Sequence, residues 1–396
     1  MNILMVCDYL ADDIQGGSDR ILFEHARGLK KRGHLLKIIA GSEKRYLRNS
    51  SFPNDMEICR YRIEKNRFIR LFQTVLGSKK LFDLLSKKIK FNVINFQQPL
   101  SACHILFYRK RLKTIFKIYT FHSPWHMEYE AETAAKENAI RGINSILRRR
   151  LEKFCLDRCD KIMVLSRYMK KELMRIHGID EGKIAVIPGG VDTEKFKPAS
   201  SKREARRRLA LPEDKTIILS LRSLIKRKGL FELILAAKPL LQNTDGMVFV
   251  IMGDGPRKKA LEDFIEALGL GPKVFITGFK KEESVPLYYQ AADLCIVPSQ
   301  VLEGFGLVVL EALSSGTPVL ATPVGGIREI LTPFDERCLL EDASPASLNK
   351  GIERFLGDRE TARSIAGKAR DYVMREYSWE VIMPRVEKEF MERKPD

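Results

Sequence analysis

Short apolar runs alternate with amphipathic stretches along this chain, and the alternation occurs twice. That pattern leaves few folds open. In the first half, residues 3–7, 35–40, 56–63, 93–96, 115–120, 161–165 and 184–187 read as strands. Most are apolar throughout, without the polar alternation of a half-exposed sheet, so both faces should be covered. Helical periodicity fills the gaps at 18–32 (with Ser18 as its cap), 68–88, 100–110, 140–157 and 167–177. A charged stretch from 195 to 208 interrupts the pattern, which marks a link between domains. The alternation then restarts, with strands at 217–221, 248–252, 274–277, 294–297 and 319–321, a helix at 230–241, and a helical tail at 362–377 and 379–391. The spacing predicts an α/β chain with two doubly wound, Rossmann-like domains facing each other across a cleft. They should span 1–195 and 196–375, with a C-terminal helix in 376–396 crossing back to the first. A length of 396 residues suits two domains of ordinary size.

Sheets of this kind bind ligands beyond the carboxyl ends of their strands. Glycine loops fall there at Gly16-Gly17, at Gly253 and Gly255, and at Gly304 and Gly306. The last belongs to Glu303-Gly304-Phe305-Gly306-Leu307-Val308-Val309-Leu310-Glu311, a loop that turns into a helix. Its glycines let backbone N–H groups approach a ligand, and a helix start suits a phosphate. Eight residues of helix span roughly 12 Å. Two carboxylates so spaced suit a long ligand with hydroxyls on either side of an anion, such as a nucleotide sugar. Read alone, the same residues also fit an amphipathic helix with solvated glutamates.

The net charge of +18 predicts attraction to an anionic surface. Much of it lies between Arg60 and Lys90, with further knots at Arg148-Arg149-Arg150 and Arg206-Arg207-Arg208. Phe68, Leu71, Phe72, Val75, Leu76, Leu81 and Leu84 could give the first of these an apolar face for peripheral docking on a membrane. Packing of that helix on its own sheet is the alternative. There is no aromatic-interleaved RNA motif and no helix-turn-helix, so nucleic acid is not an expected partner. Seven scattered cysteines without a zinc spacing read as reduced thiols, and the first residues lack the features of a signal peptide. The expected place is the cytoplasm, or the inner face of the plasma membrane.

Several motifs in order resemble glycosyltransferase family 4, retaining enzymes of the GT-B fold, over nearly the whole chain. They are Gly16-Gly17-Ser18-Asp19-Arg20, Pro188-Gly189-Gly190-Val191-Asp192, Gly253-Asp254-Gly255-Pro256, Thr277-Gly278-Phe279, the pair Glu303 and Glu311, and Thr322-Pro323-Val324-Gly325-Gly326. The resemblance implies that Glu303 contacts hydroxyls of the donor sugar and Glu311 holds the ribose. The backbone at Phe305, Gly306 and Leu307 would lie near sugar and phosphates, with Gly278 also on the donor side. Arg222 and Lys228 are the implied diphosphate cations, although leucine precedes Arg222 where glycine is usual. Their spacing is one residue longer than in many members, so Arg227 could replace Lys228. Gly17 would approach the diphosphate from the other domain, and His122 would lie beside the transferred sugar. Trp125 and His126 are expected to line an acceptor pocket.

The reading is therefore a retaining transfer of a hexosyl unit from a UDP- or GDP-sugar to a hydroxyl of a glycan or lipid-linked acceptor. It would serve cell-envelope polysaccharide or glycolipid synthesis. No Asp-x-Asp motif stands at a strand end, so no metal and no cofactor are expected. Sugar-nucleotide epimerases share the fold and are one alternative. A basic membrane-binding protein without catalysis is another.

Overall fold

The computed structural model describes residues 1–10, 16–43, 50–52, 56–108, 112–133, 139–242 and 245–392. The residues from Asp12 to Gln15, just before Gly16-Gly17, lie outside these. The chain forms two compact units, Met1–Pro188 with the tail from Ile382, and Gly189–Val381.

In the first unit the order is β1 (Asn2–Val6), α1 (Gly17–Lys31), β2 (Leu35–Ser42), β3 (Ser50–Phe52), β4 (Met56–Arg62), α2 (Arg67–Ser86), β5 (Val93–Phe96), α3 (Pro99–Phe107), β6 (Phe116–Phe121), α4 (Trp125–Thr133), α5 (Ala139–Arg158), β7 (Lys161–Val164), α6 (Arg167–His177) and β8 (Ile184–Val186). The sheet runs β3-β4-β2-β1-β5-β6-β7-β8. Every pairing is parallel except that of the edge strand β3 with β4. Ile3, Leu4, Met5 and Val6 of β1 are fully buried, as a strand covered on both faces requires. The chain moves outward from β1 in one direction and then returns to fill the other side at β5. This reversal at β1 is where such a sheet opens a crevice. Right-handed crossovers put α1 on one face and α2, α3, α5 and α6 on the other. Accordingly α3 packs against both α2 and α5.

The second unit contains α7 (Lys202–Arg208), β9 (Thr216–Leu221), α8 (Leu230–Gln242), β10 (Met247–Met252), α9 (Lys258–Ala267), β11 (Val274–Ile276), α10 (Val285–Ala291), β12 (Leu294–Val297), α11 (Leu307–Ser314), β13 (Val319–Ala321), α12 (Ile327–Leu331), α13 (Pro345–Gly357), α14 (Arg359–Tyr377) and the start of α15 (Trp379–Met391). Its all-parallel sheet runs β11-β10-β9-β12-β13, with the reversal between β9 and β12. In the first unit, the later part of α15 lies on α1. A Cβ added to Gly28 would come within 2.5 Å of Met383, and Glu387 bonds His34 at 2.8 Å and Arg32 at 3.0 Å.

Local details differ from the sequence reading in several places, among them the edge strand β3, α7 within the stretch read as a link, and α13. The first helix starts one residue before Ser18, with Gly16 in the cap position and no side-chain cap bond. A helix, α4, follows His122 where none was anticipated. It is short, starts straight after Pro124 and lacks apolar periodicity, so little in the residues announces it. Among the described residues no helix is long and apolar enough to cross a membrane.

Candidate functional site

The second unit gathers charge at the carboxyl ends of β9 and β12. Arg222 directly follows β9 and is only 4% exposed. Its backbone N–H donates to Met252 O at 2.9 Å, which fixes where the side chain departs. The guanidinium donates to Ser299 Oγ and to Glu303 Oε2. Lys228 Nζ donates to the same carboxylate oxygen at 2.8 Å, and Ser299 Oγ does so at 2.7 Å. Three donors thus converge on one oxygen of Glu303. Arg227 turns elsewhere, to Leu302 O at 2.7 Å.

Backbone geometry sets these positions. Lys226–Lys228 form one 3-10 turn, closed by Gly229 at φ +72°. Gly229 is pressed against β12's exit, where a Cβ would lie 1.7 Å from Pro298 O. In the facing loop Leu302 has φ +54°, an uncommon conformation for a residue with a side chain. It immediately precedes Glu303. Gly306, at φ +107°, then turns the chain into α11. The loop after β13 supports this bend, since Gly326 N–H donates to Glu303 O at 3.0 Å. A Cβ on Gly326 would strike Gly304 O at 2.6 Å. Phe305 and Leu307 are buried, packed over Gly189. Leu307 begins α11, whose first turn presents its amide end.

Glu311 is one residue past the first turn of α11 and 2% exposed. Its Oε2 accepts from Tyr289 OH at 2.8 Å. Gly278 follows β11 at φ +71°. Its carbonyl accepts from Gly253 N–H at 3.2 Å, and Gly253 in turn presses on the Arg222 carbonyl. The loops after β11, β10 and β9 are knitted together in this way.

The electrostatics follow from burial and pairing. Burial alone would raise the Glu303 carboxyl, but Arg222 and Lys228 outweigh it and hold the group well below the usual carboxylate range. Burial pushes Lys228 down to about 7, and repulsion from Arg222 adds to that. The site therefore holds a fixed cation, a cation that titrates near neutrality and one carboxylate.

In the first unit, Gly17 opens α1 beyond the end of β1. His122 stands at the end of β6, and its Nε2 lies 2.8 Å from Gln97 Oε1. Gln97 Nε2 donates to Asn95 Oδ1, and Asn95 Nδ2 donates to Thr120 Oγ1 at 2.9 Å. That chain leaves only a carbonyl oxygen for His122, so Nε2 carries the proton and Nδ1 is an acceptor. Burial lowers His122 to about 4, with Glu128 opposing, which keeps the ring neutral. His25 of α1 is fully buried, and its charged form would repel that of His122.

Trp125 and His126 begin α4. Trp125 N–H donates to both oxygens of Glu152, at 3.2 and 3.3 Å, and Arg148 stacks 4.2 Å from the Trp125 ring centre. The same Arg148 lies 4.4 Å from the Tyr129 ring centre. Glu152 also bonds His177 Nε2 at 3.0 Å. His126, Glu152 and His177 offer three ligand atoms within 4.8 Å of one another, a donor set that could hold a divalent cation. Sequence reading did not find Asn95, Gln97, Glu152, Tyr289 or Ser299. Only their places at strand ends or on inward helix faces carry a signal, and such places are common to core polar residues.

The family model Glycosyltransferase Family 4 matches residues 15–195, and Glycosyl transferases group 1 matches residues 201–372. The two together span most of the chain. A D-inositol 3-phosphate glycosyltransferase of Corynebacterium urealyticum is 30% identical over 278 residues, covering 68% of this chain and 65% of that protein. A GDP-mannose-dependent alpha-(1-6)-phosphatidylinositol monomannoside mannosyltransferase of Mycobacterium tuberculosis is 27% identical over 237 residues, covering 58% of this chain and 61% of that protein. Either match spans less than two thirds of the relative's own length. Among solved structures, sucrose-phosphate synthase from Thermosynechococcus elongatus has a TM-score of 0.85 at 23% identity, with 98% of each chain covered. That likeness concerns the fold, which is GT-B, built of two Rossmann-like domains.

Proposed function

This chain belongs to glycosyltransferase family 4, and from that premise we propose that it is a retaining glycosyltransferase. It would move a hexosyl unit from a UDP- or GDP-sugar to a hydroxyl of a glycan or lipid-linked acceptor, in cell-envelope polysaccharide or glycolipid synthesis. The observation that carries this reading is the convergence of Arg222, Lys228 and Ser299 on Glu303 beside the start of α11. These are the charges a nucleotide diphosphate needs. Its departure leaves negative charge on the diphosphate, and fixed cations stabilise that charge where it develops.

In the proposed scheme the donor diphosphate lies against Arg222, Lys228 and the amide end of α11, and Gly17 is assigned to the donor as well. Glu303 takes hydroxyls of the sugar, and Glu311 takes the ribose. The backbone at Phe305, Gly306, Leu307 and Gly278 shapes the donor pocket. His122 accepts a sugar hydroxyl at Nδ1, while its protonated Nε2 stays on Gln97. The sugar–phosphate bond breaks through an oxocarbenium-like state. The leaving diphosphate takes the acceptor's proton on the same face, so configuration is retained. Two side-chain cations suffice for the leaving charge, and the scheme uses no metal or cofactor. Trp125 and His126 stand on the acceptor side. The relative named for a phosphatidylinositol mannoside supports a lipid-linked acceptor. Peripheral attachment to the cytoplasmic face of a membrane would fit such an acceptor.

The test is a thermal-shift screen of UDP-, GDP- and ADP-sugars, since a ligand that binds only the folded state raises its melting temperature. The stabilising donor is then followed by proton NMR with and without acceptors. A stabilising UDP- or GDP-sugar, consumed with an axial or equatorial anomeric proton preserved in the product, is the expected result. Rapid epimerisation of the donor without any acceptor would overturn it.

A further inference from the structure

Two helices of the first unit leave large apolar side chains in water. On α2, Phe68 is 79% exposed, Phe72 65% and Leu76 58%, forming one stripe at four-residue spacing. On α5, Ile140 is 67% exposed, Ile143 59% and Leu147 58%. α3 packs against both helices. The apolar face of α2 is therefore not spent on its own sheet over these turns. Bulky side chains exposed in this density mark an interaction surface.

Cations accompany both stripes. Lys65, just before α2, and Lys80 on it are exposed, as are Arg149 and Arg150 on α5. The whole chain carries +18. Apolar side chains among lysine and arginine are the composition of an interfacial helix on anionic lipid.

The topology places the two stripes at one end of the sheet. Chain leaving the carboxyl end of β4 at Arg62 enters α2 at Arg67, so the first turns of α2 stand at that end. α5 runs the other way toward the start of β7, which it reaches within three residues. A helix of 20 residues extends about 30 Å, whereas a strand of 4 residues such as β7 covers about 13 Å. The first turns of α5 therefore overhang the carboxyl end of the sheet. Ile140, Ile143 and Leu147 are on those turns. His122 follows the carboxyl end of β6, and α4, which starts with Trp125, packs against α5.

We propose that this end of the first unit seats on an anionic lipid bilayer, through α2 and the overhanging turns of α5. The hydroxyl offered to His122 then belongs to an acceptor anchored in that bilayer. A bilayer is the occupant because the stripes lie on separate outward-facing helices ringed by cations, and lipid asks for apolar area and positive charge without a fitted groove. The docking stands on exposure and charge alone. Only the statement about the acceptor rests on the transferase reading.

The experiment is flotation of the full chain with phosphatidylcholine vesicles, with and without phosphatidylglycerol, at low and raised salt. Phe68→Ser/Phe72→Ser and Ile143→Ser/Leu147→Ser variants are compared with the parent. The parent should float with the phosphatidylglycerol vesicles and be released by salt. Each variant pair should float at least ~5-fold less, with an unchanged melting temperature and an unchanged thermal shift by the donor. A parent that stays at the bottom at low salt, or floats equally without phosphatidylglycerol, overturns the proposal. So do variants that float as the parent does. If docking holds and no nucleotide sugar binds, the transferase reading fails while the surface stands.

Discussion

Lys228 Nζ lies 2.8 Å from Glu303 Oε2, with the two side chains only 12% and 10% exposed. Arg222 reaches the same oxygen and is more deeply buried. One carboxylate oxygen thus serves two cations, the pair that engages the diphosphate in the proposed scheme. Glu303 has two duties in the proposed scheme. It offsets the charge of the two cations, and it turns to the sugar when phosphate takes over that part.

Replacing Glu303 with Gln separates those duties. The amide cannot offset the charge of Arg222 and Lys228, so the empty site becomes more attractive to anions. A nucleoside diphosphate without sugar should bind the variant about 10-fold more tightly, measured by calorimetry. Transfer should fall by roughly 100-fold, since a hydroxyl loses its charged acceptor. Unchanged or weaker binding of the bare nucleotide would mean that Glu303 does not stand in for phosphate.

Lys228 gives the site a pH dependence. Burial and Arg222 bring it down to about 7, so in the empty site it loses its proton as pH rises through neutrality. A bound diphosphate favours the charged form. Binding therefore takes up a proton above about pH 7, and affinity falls by up to about 10-fold per pH unit beyond it. Calorimetry in buffers of differing ionisation enthalpy reads the uptake directly. Lys228→Arg should flatten the profile, because guanidinium does not titrate there. A parent profile already flat from about pH 6 to 8.5 would remove Lys228 from the phosphate site.

Gly229 and Gly278 both have positive φ, yet they should respond differently to alanine. At Gly229 the new Cβ would lie 1.7 Å from Pro298 O, a backbone atom that cannot move without shifting β12's exit. Gly229→Ala should cost about 2 kcal/mol or more and displace Lys228. At Gly278 the nearest atom is Lys258 Nζ at 3.4 Å, the free end of a long side chain. Gly278→Ala should cost only about 1 kcal/mol, the penalty of the conformation. Melting curves decide this, and Gly229→Ala, by displacing Lys228, should also abolish the thermal shift produced by the donor.

Much of the architecture is visible in the residues because buried parallel strands are written as apolar runs of four to six. Glu303, Arg222 and Lys228 are singled out differently, through motifs in a set order, and their pairing with one another is not legible there. What periodicity could not supply is the choice between Lys228 and Arg227. A 3-10 turn sends adjacent side chains in different directions, and its phase depends on Gly229 meeting Pro298. The network behind His122 is equally silent in sequence. Asn95 lies within a strand otherwise apolar, and Gln97 follows it, so only the neighbouring strand β6 gives either one a partner. Helix α4 was missed for a related reason: Glu152, Arg148 and Ser145 of α5 hold it by tertiary contacts that local propensity does not encode.

Glu152 supplies a last prediction, on stability. Burial pushes it up to about 8 from 4.5, against the Trp125 N–H that lowers it. Between those values the folded chain keeps a proton that the unfolded chain has released. That contribution is full below the unfolded value and is lost as pH rises through the folded one. His177 acts oppositely: burial lowers it to about 4 from 6.5, so it adds stability as pH rises across that interval. His25 and His122, also lowered by burial, act in the same sense as His177 below about pH 6.5, and Lys228, held at about 7, adds stability above it. The Glu152 share is therefore read against a variant that lacks the carboxyl: parent stability should fall relative to that variant by about 1 kcal/mol per pH unit up to about pH 8. Glu152→Gln should remove the fall, because the amide cannot ionise, while its oxygen still accepts from Trp125 and its nitrogen donates to His177. Melting temperatures of parent and variant at the two ends of that interval test it. Parallel declines in both would place the buried proton elsewhere, and Glu152 would be an ordinary ionised partner of the α4 amide.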